Sequence, residues 1–273
     1  MVAMDQVVVA TRFWATSAAA LGALEEWIRR AQAYSRWQIV AVRVDEDRAG
    51  TLDFLAGLSS TFPGLIALPV RPWGAFSTAL NAMLIHAAFL PSGPPAFGFE
   101  SAKWARALEH GAKFILFQSI EVSSSAKDIE ILLSHLDVET LVVGAALAGS
   151  HEFSPGEHEL TGLTSPWNTC ALWNLQALGR TGFLTVSDSI AGPSGPAIEE
   201  VAVIALQQHV RPAAAKAKLV KLESTGWDLG FGDDPKRKEH HVTKMRSKVP
   251  RAKAQLELLG VPPGRVLHID ATR

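Results

Sequence analysis

The apolar run Phe114-Ile115-Leu116-Phe117 breaks into Gln118-Ser119-Ile120-Glu121 and then into three serines, Ser123 to Ser125. A continuous apolar run of this length reads as a buried strand, and a polar cluster at its end is where an open α/β sheet keeps its chemistry. Glu121 is the single carboxylate of that cluster. It is either a site residue delivered by the strand or an acid at the head of the next helix, AKDIEILLSHL, with Ser123 to Ser125 as cap candidates. Three more polar clusters end apolar runs: Thr11-Arg12, Asp45-Glu46-Asp47 and Pro72-Trp73. Asp45 and Asp47 can accept hydrogen bonds from a ligand, or can cap a helix that starts near Thr51. Glu199-Glu200 open the apolar helix EEVAVIALQQHV, where paired acids are also ordinary partners of a helix dipole. His240-His241 sit in a charged helical stretch, a setting that suits either metal ligation or solvation.

Several chemistries are disfavoured. No G-x-G-x-x-G follows the first apolar run, and no G-x-x-x-x-G-K-[ST] occurs anywhere, which argues against a Rossmann dinucleotide site and a P-loop. Cys170 stands alone, so an internal disulfide is excluded, and with no nucleophile motif around it a buried small hydrophobe is the expected role. His151 and His158 carry no recognised metal spacing.

The elements that must position these residues follow from periodicity. QVVVAT (Gln6–Thr11), WQIVAVRV (Trp37–Val44), LIALPV (Leu65–Val70), KFILF and ETLVVGAAL read as strands. Between them lie helical patterns: SAAALGALEEWIRRAQAY with Leu21, Leu24, Trp27, Ile28 and Ala31 on one face, TLDFLAGL, AFSTALNAMLIHAAFL, SAKWARALEHGA and AKDIEILLSHL. PSGPPAFGF is a loop by its Pro and Gly content. The order β-α-β-α-β-α-α-β-α-β with apolar strands predicts an α/β protein, a doubly wound, mostly parallel sheet with helices on both faces. The pattern loosens after residue 150. A Gly/Pro loop, SDSIAGPSGPA, precedes Glu199, a long charged helix is expected from Asp234 to Gly260, and GRVLHI is expected as a late edge strand. The organisation expected is one domain over 1–273, with a ligand-binding half at 1–150, a second half at 151–210 and a basic extension at 211–273.

Of 273 residues, 48% are hydrophobic and 19% charged, as a globular chain with a sizeable core requires. No apolar span is long enough for a transmembrane helix, and the amino-terminal run, carrying Asp5, reads as a strand and not as a signal peptide. A cytoplasmic protein is the expectation. The net charge of −1 conceals an asymmetry. Residues 1–210 hold twelve Lys/Arg against twenty Asp/Glu, and residues 211–273 fourteen against seven, giving −8 and +7. Such a basic tail can meet phosphate groups or form a solvated face across an acidic surface. Nucleic acid is not an expected partner, because the tail has few aromatic side chains to stack on bases; an oligomer is compatible with the sequence.

The ordered set over roughly residues 6–210 resembles the GT-A-type nucleotide-sugar glycosyltransferases, especially family 2. VVVATRF looks like the strand that opens the nucleotide site. IVAVRVDEDRAGTLDFL is similar to the second strand with its terminal acid, and FSTALNAMLIHA to the helix that places Asn81. KFILFQSIEV lies where the family runs into Asp-x-Asp, SPWNTCALWNLQALGRTGF looks like the acceptor-side segment, and AIEEVAVIALQ the helix start with the acidic catalytic pair.

The resemblance implies transfer of a sugar from a nucleotide-diphosphate sugar to an unknown acceptor, with inversion. It assigns the donor to Thr11, Arg12, Asp45, Asp47, Asn81 and Ser119, with a base N–H or ribose hydroxyls as the partners of the second-strand acids. It places the general base on Glu200, with Glu199 as the alternative. Trp167 and Trp173 could wall an acceptor sugar, core packing being the alternative. A divalent cation, Mg²⁺ or Mn²⁺, is implied with Glu121 as ligand, and a late His, His240 or His241, as a further one. The departure is Ser119 where the first carboxylate belongs, so the metal motif is degenerate. That substitution keeps two other classes open, a non-catalytic nucleotide-binding or interaction protein and a nucleotidyltransferase. The latter usually has a Gly-rich basic loop after the first strand, which ATRFWATSAAA does not provide.

Overall fold

The computed structural model describes residues 4–14, 17–47, 50–74, 76–88, 111–189, 198–228 and 235–272. Internal contacts divide the chain into two units, residues 1–120 with 173–180 and residues 121–172 with 181–273. Most of the helix expected over 101–112, the loop at 91–99, the Gly/Pro stretch 190–197, and Asp233 and Asp234 lie outside the described residues.

The first unit is built on β-branched runs. Three successive valines are stiff at χ1 and fit a pleated surface, and they begin β1 (Val7–Phe13), with Val7 to Ala10 fully buried. Parallel to it run β2 (Trp37–Arg43) on one side and β4 (Phe114–Gln118) on the other, and β3 (Leu65–Val70) lies beyond β2, in the order β3-β2-β1-β4. Parallel neighbours need crossovers, usually helical. These are α1 (Ala18–Ala31) between β1 and β2 and α2 (Thr51–Leu58) between β2 and β3; α3 (Phe76–Ala88) follows β3. The apolar face of α1 buries Leu24, Trp27, Ile28 and Ala31, at the spacing of one helical stripe. Arg29 and Arg30 pair one turn back with Glu25 and Glu26 on its outer side. Because all four strands run the same way, the residues after β1, β2, β3 and β4 gather along one edge of the unit.

In the second unit β6 (Thr140–Ala145), β9 (Lys216–Lys221) and β11 (Arg265–Asp270) are parallel. The short β7 (Gly156–Glu159) runs antiparallel outside β11. β8 (Cys170–Asn174), which straddles the division between the units, lies next to β6. GRVLHI is therefore an interior strand and not the edge expected from its place near the end of the chain, since β7 covers its outer side. The Lys-rich KAKLVK of β9 has no strand signature. It is tolerated inside a sheet because Ala217, Leu219 and Val220 are buried while Lys218 donates to His135 O (2.7 Å) and pairs with Asp137 (2.8 Å).

The three serines after Glu121 have separate duties. Ser123 ends the two-residue β5 (Val122–Ser123), paired antiparallel with β10 (Gly226–Trp227). Ser124 is buried with its hydroxyl 3.8 Å from the Cys170 sulfur. Ser125 is the N-cap of α4 (Ala126–Ser134), in a reciprocal capping box with Asp128. The short α5 (Leu175–Leu178) belongs to the first unit, and the second is completed by α6 (Val186–Ser189), α7 (Glu199–Val210) and the long α8 (Pro235–Leu259). Val201 to Ala205 of α7 are buried in succession, so this helix is covered all round. On α8 Ala252, Gln255 and Leu256 face inward.

Candidate active site

In the first unit, Thr11 is buried on β1 and Arg12 follows it half-buried. The Arg12 guanidinium lies 4.6 Å over the Phe76 ring, and its Nη1 is buried without a hydrogen-bond partner among the described residues. Trp14, half exposed, packs edge-on against Trp73 at 6.1 Å. Asp45, exposed after β2, is held by Arg71 Nε (3.2 Å) and by the Trp73 N–H (3.3 Å). Asp47 accepts from Thr51 N (2.8 Å) and Leu52 N (3.2 Å), so its carboxylate caps α2, the structural role that the turn allows for. Asn81 on α3 and Ser119 past β4 are half-buried. Gln118, 2% exposed, accepts the Tyr34 hydroxyl at 2.7 Å, and its Nε2 has no partner among the described residues. These six candidate residues thus belong to one unit, and all but Asn81 stand at or just past strand ends.

The second unit holds the other candidates. Glu121 lies exposed in the turn into β5, and its carbonyl accepts the Asp228 N–H at 3.0 Å. The same ribbon places Trp227 opposite Val122. Trp227 meets the buried Trp167 edge-on at 6.0 Å and His241 at 5.5 Å. Trp167 is the centre of the cluster. Its Nε1–H donates to Gly162 O (2.8 Å), His151 stacks on it with ring centroids 3.7 Å apart, and the Lys248 ammonium sits 3.1 Å from its centroid. One residue along, the Asn168 N–H donates to Glu200 at 2.6 Å. Glu200 is 5% exposed and Glu199 half-buried. Glu121, His241 and Glu200 are therefore linked through two tryptophans within one unit. The His240 side chain lies outside the described residues.

The electrostatics of this cluster are those of a dry site. Burial, reinforced by neighbouring Glu199 and opposed by Lys248, pushes the Glu200 carboxyl up to about 7. Burial also drives Lys248 down, with Glu200 and Glu199 acting against it. His151 is held neutral: burial lowers it to about 3, with the Lys248 charge adding to the effect. Its tautomer follows from its partners, Nδ1 accepting the Leu147 N–H (2.9 Å) and Nε2–H donating to Ser165 O (3.1 Å). A carboxyl poised near neutrality, fixed by a main-chain N–H, is equipped to take a proton at physiological pH.

A divalent metal fits the described residues poorly. Glu121 brings one exposed carboxylate, Ser119 replaces the other, and among the described residues no three His, Cys, Asp or Glu side chains converge. A separate cavity of about 730 Å³ in the second unit, between the amino ends of β9 and β11 and the end of α7, is lined by none of the candidate residues.

Neither a protein-family model nor a curated protein matches this sequence. Solved structures do match it. A mannosyltransferase from Pyrobaculum calidifontis, in complex with GDP-Man and Mn²⁺, aligns over 93% of this chain and 75% of its own at 12% identity and a TM-score of 0.54. Glucosyl-3-phosphoglycerate synthase from Mycobacterium tuberculosis, in complex with Mn²⁺, UDP and phosphoglyceric acid, aligns over 94% and 79% at 11% identity and a TM-score of 0.50. The fold is that of the GT-A-type glycosyltransferases. Within a GT-A fold the edge formed by Thr11, Asp45 and Ser119 is the carboxyl edge of the parallel strands, where such sheets take ligands. Among the described residues no helix is long and apolar enough to cross a membrane.

Sequence reasoning grouped Lys248 with the other bases of KRKEHHVTKMRSK, which could reach a diphosphate or coat an exposed face, placed Trp227 beside His240-His241, and gave His151 no site role; it did not single out Lys248. For Lys248 a signal existed. It lies four and eight residues before Ala252 and Leu256, the inward face of α8, so helical phase alone sends this one lysine of a basic helix toward the core.

Proposed function

We propose that the protein transfers a sugar from a nucleotide-diphosphate sugar to a hydroxyl acceptor with inversion, and that Glu200 is its general base. The observation that carries this reading is the buried Glu200 carboxylate, fixed by Asn168 N and raised toward neutrality at the head of α7. In the step, the acceptor oxygen attacks the anomeric carbon while the bond from that carbon to the diphosphate oxygen breaks. Its electron pair leaves on the diphosphate, and the acceptor's hydroxyl proton passes to Glu200. Glu199 keeps Glu200 basic through charge repulsion.

The nucleotide is assigned to Thr11, Arg12, Asp45, Asn81 and Ser119, with Asp45 as acceptor for a base N–H or ribose hydroxyl; Asp47 contributes by capping α2. The partly orphaned Arg12 guanidinium supports an anionic or hydrogen-bonding ligand there. No step is assigned to a metal, because the described donors do not make a site for one. Glu121 and His241 would contact a cation only as single ligands.

The test is a thermal-shift panel of UDP, GDP and TDP with and without Mn²⁺, followed by release of nucleoside diphosphate from the corresponding sugars. One nucleotide should stabilise the protein, and Glu200→Gln should abolish release while binding that nucleotide as before. Stabilisation by none of the three would refute the reading. A diphosphate that stabilises equally without Mn²⁺ removes Glu121 as a metal ligand. Nucleotide binding with no release from any sugar would favour the second reading, a nucleotide-binding protein without transfer, for which Ser119 in place of a carboxylate already speaks.

A further inference from the structure

The Lys248 side chain is half-buried, with its ammonium laid on an aromatic ring, where a lysine has little reason to be. Other bases of α8, among them Lys236, Lys244, Arg246 and Lys253, are exposed. Lys248 instead points inward from the face that carries Ala252 and Leu256 and rests on the Trp167 ring, 3.1 Å from the centroid. Glu200 and Glu199 act on it only through space, without a hydrogen bond, and Lys244 and Arg251 add positive charge beside it. Withdrawing an ammonium from water without a hydrogen-bonded counter-ion is costly, and an aromatic face offsets only part of that cost. The position is also rigidly built. A side chain on Gly162 would collide with Lys248 O at 2.4 Å and its carbonyl carbon at 2.6 Å, so α8 is seated directly on the segment that carries Trp167 and Asn168.

The arrangement has two poles at the Trp167–Asn168 segment: a carboxylate suited to a hydroxyl proton at Glu200, and, at Lys248, an ammonium with no bonded anion among the described residues. We propose that Lys248 is a specificity-determining residue that receives an anionic group, phosphate or carboxylate, of the acceptor whose hydroxyl meets Glu200. The substrate class is thus a small hydroxyl compound bearing an acidic group. This rests on the transferase reading for the role of Glu200, but the anion site itself does not.

Isothermal titration of the whole protein with glycerol 3-phosphate, glycerate, inorganic phosphate and neutral glycerol tests it, alongside the nucleotide found in the thermal-shift panel. Glycerol 3-phosphate or glycerate should bind and glycerol should not, and comparing the two anions separates phosphate from carboxylate. Lys248→Met, which keeps the aliphatic stem, should weaken the anion by about tenfold or more, as expected for a lost charge-assisted hydrogen bond. It should leave the nucleotide unchanged, and Lys248→Arg should restore most of the affinity. Lys248→Gln, which keeps a polar head without the charge, should weaken the anion likewise and keeps the test valid if Lys248→Met fails to fold. The proposal is overturned if no anion binds at about 10 mM, a concentration that would reveal even millimolar affinity, or if the folded Lys248→Met or Lys248→Gln protein keeps the parent's anion affinity. It is equally overturned if Lys248→Met weakens the nucleotide as much as the anion, since Lys248 would then serve the donor diphosphate. Anion binding lost in Lys248→Met with no nucleotide bound at all would retain the anion site and reject the transferase reading.

Discussion

The same small substitution, glycine to alanine, should have opposite effects at two places in this protein. At Gly162 the added carbon would lie 2.4 Å from Lys248 O, 2.6 Å from its carbonyl carbon and 2.8 Å from its Cβ. All three atoms are fixed to the α8 backbone, so relief requires moving the helix or the Gly162 segment by on the order of 1 Å to reach ordinary contact distance. Overpacking of this kind costs about 1–3 kcal/mol, and backbone neighbours place it near 3. At Gly22, inside α1, the same carbon meets nothing within 4 Å. Alanine there should stabilise by about 0.5–1 kcal/mol, because a glycine in a helix loses more chain freedom on folding. With about 2–4 °C of melting temperature per kcal/mol for a chain of this size, Gly162→Ala should melt roughly 6–12 °C below the parent and Gly22→Ala about 1–4 °C above it. Circular-dichroism melts and urea midpoints measure both. A Gly162→Ala protein as stable as the parent would refute the claim that α8 is seated without clearance, and with it the rigid placement of Lys248. A destabilised Gly22→Ala would refute the packing argument in general.

Two further outcomes follow from single residues. Ser125→Ala removes one half of the capping box with Asp128 and should cost about 1 kcal/mol by urea denaturation, whereas Ser123→Ala, on the short exposed ribbon, should cost little. His151 sits below its ordinary range through burial, so its neutral form is the folded one. Stability from this residue is present above about pH 6.5 and is lost as pH falls from there toward 3. His151→Gln, which does not titrate, should therefore show a shallower fall of the urea midpoint between about pH 6.5 and 5; an unchanged slope would mean that His151 is not held neutral.

Much of the scaffold was legible before any coordinates. The valine run of β1, the aliphatic β2 and β4 and the single stripe of α1 sit where their periodicity puts them, because burying an apolar face leaves few arrangements for such residues. Strand ends of a parallel sheet also point to Thr11, Asp45 and Ser119 without further information. What was not legible had weak local signals. β9 alternates lysine with small apolar residues and is fixed by Asp137 and the His135 carbonyl, partners far away in sequence. β11 looks like an edge because it comes last, and becomes interior only when β7 pairs outside it.

The site divides in the same way. Residue type and order alone mark Glu199-Glu200 as an acidic pair at a helix start and Glu121 as the one carboxylate after an apolar strand. Whether a carboxylate is wet or dry depends on what covers it, and that is decided by contacts distant along the chain. Asp47 is occupied by α2, Glu121 is open to solvent, and Glu200 is sealed with Asn168 against it. Lys248 makes the contrast sharpest. In sequence it is one base among many in a charged helix; in the fold, helical phase and the bare surface of Gly162 turn it onto Trp167. Local sequence sets the period and the inventory of charges, while tertiary packing decides which of those charges lose their water.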